Sequence, residues 1–419
     1  MTDVARVTPT RARPGAFVVA AAMLATLPIV GVQGPLHTAP VDLLNGLFVT
    51  LYWGSILARR ERLAFPLLRP FWLIMVGSLF GLFSASEGLR AVTAIGQELY
   101  LFVWFVTVVD FLRRYCRLDD ALRVWTVVAG AVALLTVADL HFNVLGGALA
   151  GADGIRAAGS FANPNMYGDY LVISFFLALT LTLSGHRVMW VSLPVLLMGI
   201  LSTASNGAML SFTSGMGATA VAYYWHLTPR QRAAAGGVIL LGAAGMVVLL
   251  GGWWDVIENH ALTQMSESRG EIGGAAMKGF DERFPLWLDA IESVRHTPTG
   301  VGPANFNRQG GLVSGDFHAA HNEYLGMLSE RGPIGLIGWL GILLAVTRMV
   351  GRIAAHAADG ARTFAPQPLY GLVGAIAAHA GVVELFHFRH VWMAFAVVAA
   401  AAASGGREHD EPLALAEAA

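Results

Sequence analysis

Long apolar runs succeed one another along this sequence, and they restrict its possible folds more than any other feature. A helix needs about twenty apolar residues, with a range of roughly 17–25, to cross a bilayer. Inside hydrocarbon each backbone amide must find its partner within the protein, a demand a helix meets by itself. By that measure the chain divides into about twelve spans, a count open by one or two because several are short or closely spaced. The expected fold is an all-α integral membrane bundle. Composition agrees: hydrophobic residues make up 55% of the chain and charged residues 13%. A soluble domain carries about twice that charged fraction, so a chain this apolar could not cover a water-facing surface. The net charge of -1 leaves no basic footprint for nucleic acid. The single cysteine, Cys116, excludes an internal disulfide and any cysteine-based metal site.

Arginine placement orients the bundle. Basic groups lie at Arg59, Arg60 and Arg62, at Arg113, Arg114 and Arg117, at His186 and Arg187, at Arg230 and Arg232, and at Arg348 and Arg352. Each follows an even-numbered span. Together with Arg6, Arg11 and Arg13 before the first span they fall on one side, which the positive-inside rule names cytoplasmic. The apolar run from Ala16 to about Val32 lacks a convincing cleavage site and reads as the first membrane helix behind a cytoplasmic tail. The resulting organisation places helices one to nine in 1–252, the ninth near 233–252, an outer loop subdomain in 253–332, and helices ten to twelve in 333–404. Residues 405–419 form a small acidic, Ala-rich cytoplasmic tail.

Two outer segments hold the polar residues that could do chemistry, 141–166 and 253–332. The second carries many of the charges. Its middle, Phe284–Val294, has Phe284, Leu286, Trp287, Leu288, Ile291 and Val294 at the spacing of an amphipathic helix lying on the membrane or on the bundle. Glu98, Asp110, Asp139 and Asp169 lie in or near spans, where ionisable groups are functional candidates by default. Gly300-Val301-Gly302 lacks the strand–helix setting of a nucleotide-binding loop.

The strongest local signal is His321-Asn322, nine residues, Gly332, two residues, Gly335. On this spacing the chain resembles the O-antigen ligase and polymerase superfamily of bacterial envelope glycosyltransferases, in which it closes a large periplasmic loop. Upstream, Arg283-Phe284-Pro285-Leu286-Trp287 and Pro298-Thr299-Gly300-Val301-Gly302 are similar to that family's Arg-x-x-x-Trp and Pro-x-Gly-Val-Gly segments. Arg156, Gly159 and Asn163-Pro164-Asn165 resemble its earlier Arg-Gly-Asn segment. One position departs. Many members have Ser-Arg-Gly at the outer end of the seventh span, where this chain has Ser205-Asn206-Gly207. The missing charge would have to come from Arg156, Arg269, Arg90 or Arg389, or the donor is held differently.

The resemblance implies a GT-C-like bundle in the bacterial inner membrane with its active site facing the periplasm. It also implies transfer of a glycan from undecaprenyl diphosphate to an acceptor sugar hydroxyl, without cofactor or metal. The expected partners are that lipid-linked donor, a lipid A core or other glycan acceptor, and the membrane, with no nucleic acid. Ligation to the lipid A core is the first choice and polymerisation of O-antigen or exopolysaccharide repeat units the runner-up. The rival from another class is a lipid-linked glycan flippase or transporter. Transporters often show two similar halves and midplane charges, whereas this sequence shows no duplication and gathers its polar candidates on one face.

Residue chemistry fits the same reading. Guanidinium presents a planar fork of donors to phosphate and keeps its charge. A fixed cation stabilises a leaving diphosphate as charge develops on it. Imidazole titrates near neutrality and can take the proton of an attacking hydroxyl. The catalytic candidates are therefore His321 and Arg283, and the substrate-binding candidates Arg156, Arg269, Asn322 and Asn165. Plainer readings stand beside them. His321 could be an interfacial cap histidine, Arg283 could pair with Asp281 or Glu282, and Arg156 and Arg269 could be solvated loop charges.

Overall fold

A computed structural model describes residues 14–29, 40–151, 154–161, 163–224, 273–309, 319–359 and 364–404. The ninth expected span and the 405–419 tail lie outside them. Twelve helices longer than two turns are described: α1 Pro14–Thr26, α2 Pro40–Ala58, α3 Leu68–Leu82, α4 Gly88–Tyr115, α5 Leu118–Phe142 and α6 Pro164–Leu183. They continue with α7 Ser192–Ser202, α8 Asn206–Tyr224, α9 Gly273–His296, α10 Glu323–Ala358, α11 Pro366–Ala380 and α12 Arg389–Ser404. Among the described residues the only β pairing is an isolated bridge between Ala150 and Ala157. Among the described residues five helices are long and apolar enough to cross a membrane: α2 from Val41, α4, α5, α6 and α10. The described residues form an all-helical fold consistent with a membrane protein.

Local sequence sets where the helices begin and break. The Asn163 side chain accepts from Asn165 N at 2.9 Å and Pro164 follows it, so a capping acceptor and a preset φ start α6 together. Asn322 caps α10 in the same way, accepting from Leu325 N at 3.1 Å. α10 is then interrupted at Gly332, whose φ of 65° and ψ of -172° only glycine adopts readily, with Pro333 directly after.

Close approach organises the interior. A Cβ on Gly77 of α3 would lie 2.6 Å from the Arg331 carbonyl oxygen, and one on Gly338 of α10 2.6 Å from Ile74 Cγ1. A Cβ on Gly215 of α8 would lie 2.4 Å from the Phe176 ring. Small residues let backbones approach where water supplies no driving force between helices. α6 is packed from several sides, with Tyr167, Tyr170, Leu171 and Phe176 fully enclosed.

Contacts between connections sort by parity. At one end Arg59 donates to Tyr115 Oη at 2.9 Å, Arg114 pairs with Glu61, Arg123 meets His186 at 2.7 Å and Ala365 N donates to Ser184 Oγ at 2.9 Å. At the other, Arg389 Nε donates to Asp42 Oδ1 at 2.7 Å, Glu87 N to Asn305 Oδ1 at 2.9 Å and Ser160 Oγ to the Pro28 carbonyl at 2.6 Å. The first end carries Arg59, Arg114 and His186 of the basic groups that the sequence places together; Arg6, Arg11, Arg13, Arg230 and Arg232 lie outside the described residues. The second carries the candidate site.

α9 covers part of that second end, and of the two surfaces its apolar residues could face, membrane or bundle, most of them leave the bundle. Leu286, Asp289, Ala290 and Ser293 are buried, whereas Phe284, Leu288 and Ile291 are exposed. The buried side meets a small satellite core of Ala290, Val301, Phe306 and Ala320. The outward apolar stripe is suited to lipid.

Candidate functional site

The His321 motif is assembled by three segments that converge on the start of α10. His321 sits immediately before the helix with φ 47°, and Asn322, not His321, provides the cap. Left-handed conformations at non-glycine residues concentrate at functional sites. Glu323 is buried and its Oε2 accepts from Leu385 N at 2.5 Å and Phe386 N at 2.8 Å, which ties the first turn of α10 to the connection between α11 and α12. The Gly300–Gly302 turn is hydrogen-bonded to the end of the same helical segment, Val301 N to Ser329 O and Gly302 N to Glu330 O, both at 2.9 Å. The turn needs glycine: Gly300 has φ 91° and a Cβ there would lie 2.4 Å from the Glu330 carbonyl. Trp287 Nε1 donates to the Ala320 carbonyl at 3.1 Å, so α9 touches the residue preceding His321. Arg283 lies one turn before Trp287 and shares its helix face.

Beneath this corner is a buried ionic network that the sequence left without a role. Arg331, 3% exposed, pairs with the fully buried Glu98 and donates through Nε to Ser78 Oγ at 3.1 Å and through Nη1 to Glu330 Oε2 at 3.1 Å. His387 Nε2 approaches Glu98 Oε1 at 3.4 Å. Together they fasten α4, α3 and the α11–α12 connection to the kink of α10. Burial, reinforced by the charges of Glu330 and Glu323, pushes the Glu384 carboxyl in that connection up to about 8.

A second polar corner forms around the turn where the arginine is missing. Arg156 Nε donates to the Thr203 carbonyl at 3.0 Å and its Nη2 to Asn165 Oδ1 at 3.3 Å. Ser205 Oγ donates to the same Asn165 oxygen at 2.8 Å and caps α8, accepting from Ala208 N at 3.2 Å. Of the arginines that could restore the charge, Arg389 is held by Asp42, Arg90 reaches Glu87 at 3.9 Å, and Arg156 stands at the turn itself. Arg269 lies outside the described residues.

The two corners meet through α11 and the connection after it. Tyr324 Oη donates to the Ala377 carbonyl at 2.7 Å, and a Cβ on Gly326 would lie 3.5 Å from Glu384 Oε1. On the other side a Cβ on Gly207 would meet His379 Nε2 at 2.9 Å and Val382 Cγ2 at 3.2 Å. So the structure groups His321 and Asn322 in one corner, with Arg283 one turn before the Trp287 that reaches it, and Arg156 and Asn165 in the adjoining one.

Residues 191–340 match the family described as O-Antigen ligase. The resemblance to the O-antigen ligase superfamily is thereby shown. The match runs from the start of α7 past the kink of α10 and takes in the Ser205-Asn206-Gly207 turn, α9 and the His321 motif. That family indicates a ligase- or polymerase-type function, its members are glycosyltransferase-like enzymes, and it implies a lipid-linked glycan and a membrane setting. No curated protein matches the chain.

Sequence reading missed Arg331, His379, His387 and His390 as site members. The available signal was an ionisable residue in apolar surroundings. Arg331 stood inside the motif itself, and His379 and His390 flank the ends of apolar runs.

Proposed function

We propose that the protein is an O-antigen ligase-like glycosyltransferase that moves a glycan from undecaprenyl diphosphate to a sugar hydroxyl of the lipid A core at the periplasmic face of the inner membrane. The observation that carries this reading is the convergence of the Arg283–Trp287, Gly300–Gly302 and His321–Gly335 segments on one corner, beside the turn that Arg156 occupies. In this mechanism the arginines hold the donor diphosphate and stabilise it as the glycosidic bond breaks. His321 accepts the proton of the attacking hydroxyl. The glycan gains one bond to the acceptor oxygen and loses one to the diphosphate, which departs with the bonding electrons. Asn165 positions Arg156, and Asn322 fixes the helix start behind His321.

Arg283→Ala is expected to weaken donor binding severely, and Arg283→Lys to recover only part of it, because lysine restores charge without the bidentate fork. Donor binding to the purified variants in lipid checks this; full recovery by lysine would reduce Arg283 to a point charge. The twelve-span arrangement is tested separately. Reporters fused after Arg60, Arg232 and Arg352 should give a cytoplasmic signal, and a periplasmic signal at any of them breaks the arrangement.

The acceptor separates ligase from polymerase. A deletion strain that accumulates long polymer unattached to lipid A supports ligation. One that attaches only a single repeat unit supports polymerisation.

A further inference from the structure

A cavity of about 240 Å³ lies between the connection before α3 and the last turns of α4, α10 and α12. One water needs only about 10–15 Å³ of such space, so this cavity takes a polyatomic group. Phe65, Val109, Met349 and Ala402 give it apolar walls, and Arg113 and Arg352 a charged corner. It belongs to the end that holds Arg59, Arg114 and His186, which the positive-inside rule names cytoplasmic. Phe65 is exposed and packs edge-on against Trp53, a residue type enriched at headgroup depth. The corner carries more positive charge than its carboxylates absorb. The buried Asp110 carboxylate accepts from Tyr52 Oη at 2.8 Å and also meets Arg114 Nε at 2.7 Å and Arg113 Nη2 at 3.1 Å. Glu61 is shared between Arg114 and Arg59. Among the described residues Arg113 Nε is buried without a hydrogen-bond partner, and the exposed Arg352 pairs with no carboxylate. Arg59, Arg113, Arg114 and Arg352 thus stand against Asp110 and Glu61, four cations against two anions. A buried donor left unmet costs free energy.

We propose that this cavity binds the headgroup of an anionic phospholipid from the leaflet on the arginine side. Arg113 and Arg352 donate to the phosphodiester oxygens, a geometry guanidinium favours. The glycerol rests on the apolar walls while the acyl chains stay in hydrocarbon. Basic pockets between membrane helices on the cytoplasmic side take such headgroups. A soluble anion gains nothing from Phe65, Val109 or Met349, whereas a lipid arrives already beside them. The proposal does not depend on the glycosyltransferase reading, because the cavity lies at the opposite end from the His321 corner. A lipid seated there joins α4 to α10, the two helices that the Arg331–Glu98 pair links farther along, so its binding stabilises the fold.

The test uses the purified full chain in detergent, with phosphatidylglycerol and phosphatidylcholine of matched acyl chains as probes and native mass spectrometry to count bound lipid. Wild type should retain phosphatidylglycerol in preference to phosphatidylcholine and gain more thermal stability from it. Arg352→Gln should weaken phosphatidylglycerol binding about fivefold, the effect of one arginine beside an anionic headgroup, and leave phosphatidylcholine binding unchanged. Arg352 is exposed, so this variant should fold as wild type does. Ala403→Phe, which fills the cavity without altering charge, should weaken binding in the same direction. Arg187→Gln removes an exposed arginine elsewhere at this end and should change nothing. An equal loss in Arg187→Gln and Arg352→Gln would reduce the effect to general surface charge and overturn the site. Equal retention of the two lipids by wild type would do the same. Displacement of the lipid by equimolar glycerol 3-phosphate would show that the free anion suffices and overturn the lipid assignment. A preference that emerges only after removal of 405–419 would give the cavity to that acidic tail instead.

Discussion

His321→Ala should lower glycan transfer by about 10²–10⁴-fold, the range typical of a lost general base, while the protein still inserts and folds. The separation is expected because Asn322 caps α10 and the Glu323 carboxylate anchors it, so neither task falls to the imidazole. His321 is exposed and lies one residue outside the helix. Its φ of 47° is tolerated by asparagine better than by alanine, which makes His321→Asn the variant matched for backbone conformation. Both should bind the lipid-linked donor nearly as wild type does and fail in single-turnover transfer. Near-normal transfer by either would take histidine out of the mechanism and leave arginine electrostatics and positioning as the source of rate.

Arg331→Ala should fail in a different way, by loss of folded protein. Removing the guanidinium leaves Glu98 buried without its cation and strands Ser78 and Glu330 beside it. Breaking a buried pair from one side costs about 3–5 kcal/mol, a large part of the stability of an ordinary domain. The double variant Glu98→Gln, Arg331→Met should be less damaged than Arg331→Ala, since the fully buried Glu98 carboxylate is no longer left without its cation. Membrane yield and thermal unfolding of the purified variants measure both. A single variant with wild-type yield and midpoint would show that the network adds little and that the α10 kink is held by packing alone.

The candidate site was partly readable. The spacing from His321 to Gly335 announced itself because glycine is required at a helix break and at a close helix contact, and each requirement leaves a fixed position in the chain. The Gly300 turn was readable for the same reason. The face of α9 was not. Periodicity left the stripe of Phe284, Leu288 and Ile291 open to the membrane or the bundle; those three are exposed, and Asp289 and Ser293 take the inward side. Hydrophobic periodicity reports that a face avoids water; it does not report whether protein or lipid covers it.

The sequence by itself determined the helical, membrane-spanning class, because an amide in hydrocarbon has no partner except its own helix, and the sorting of arginines that tells one end from the other. It also determined which residues carry the family motif. Only the tertiary structure decided that Arg156, and not Arg90 or Arg389, stands at the Ser205–Gly207 turn, that Arg331 closes on Glu98, and that Asp169 gathers His379 and His390. These pairings join residues far apart in the chain. Hydropathy fixes each helix's depth in the bilayer but leaves its neighbours and its rotation open; side-chain packing between helices and the need to pair each buried charge settle those.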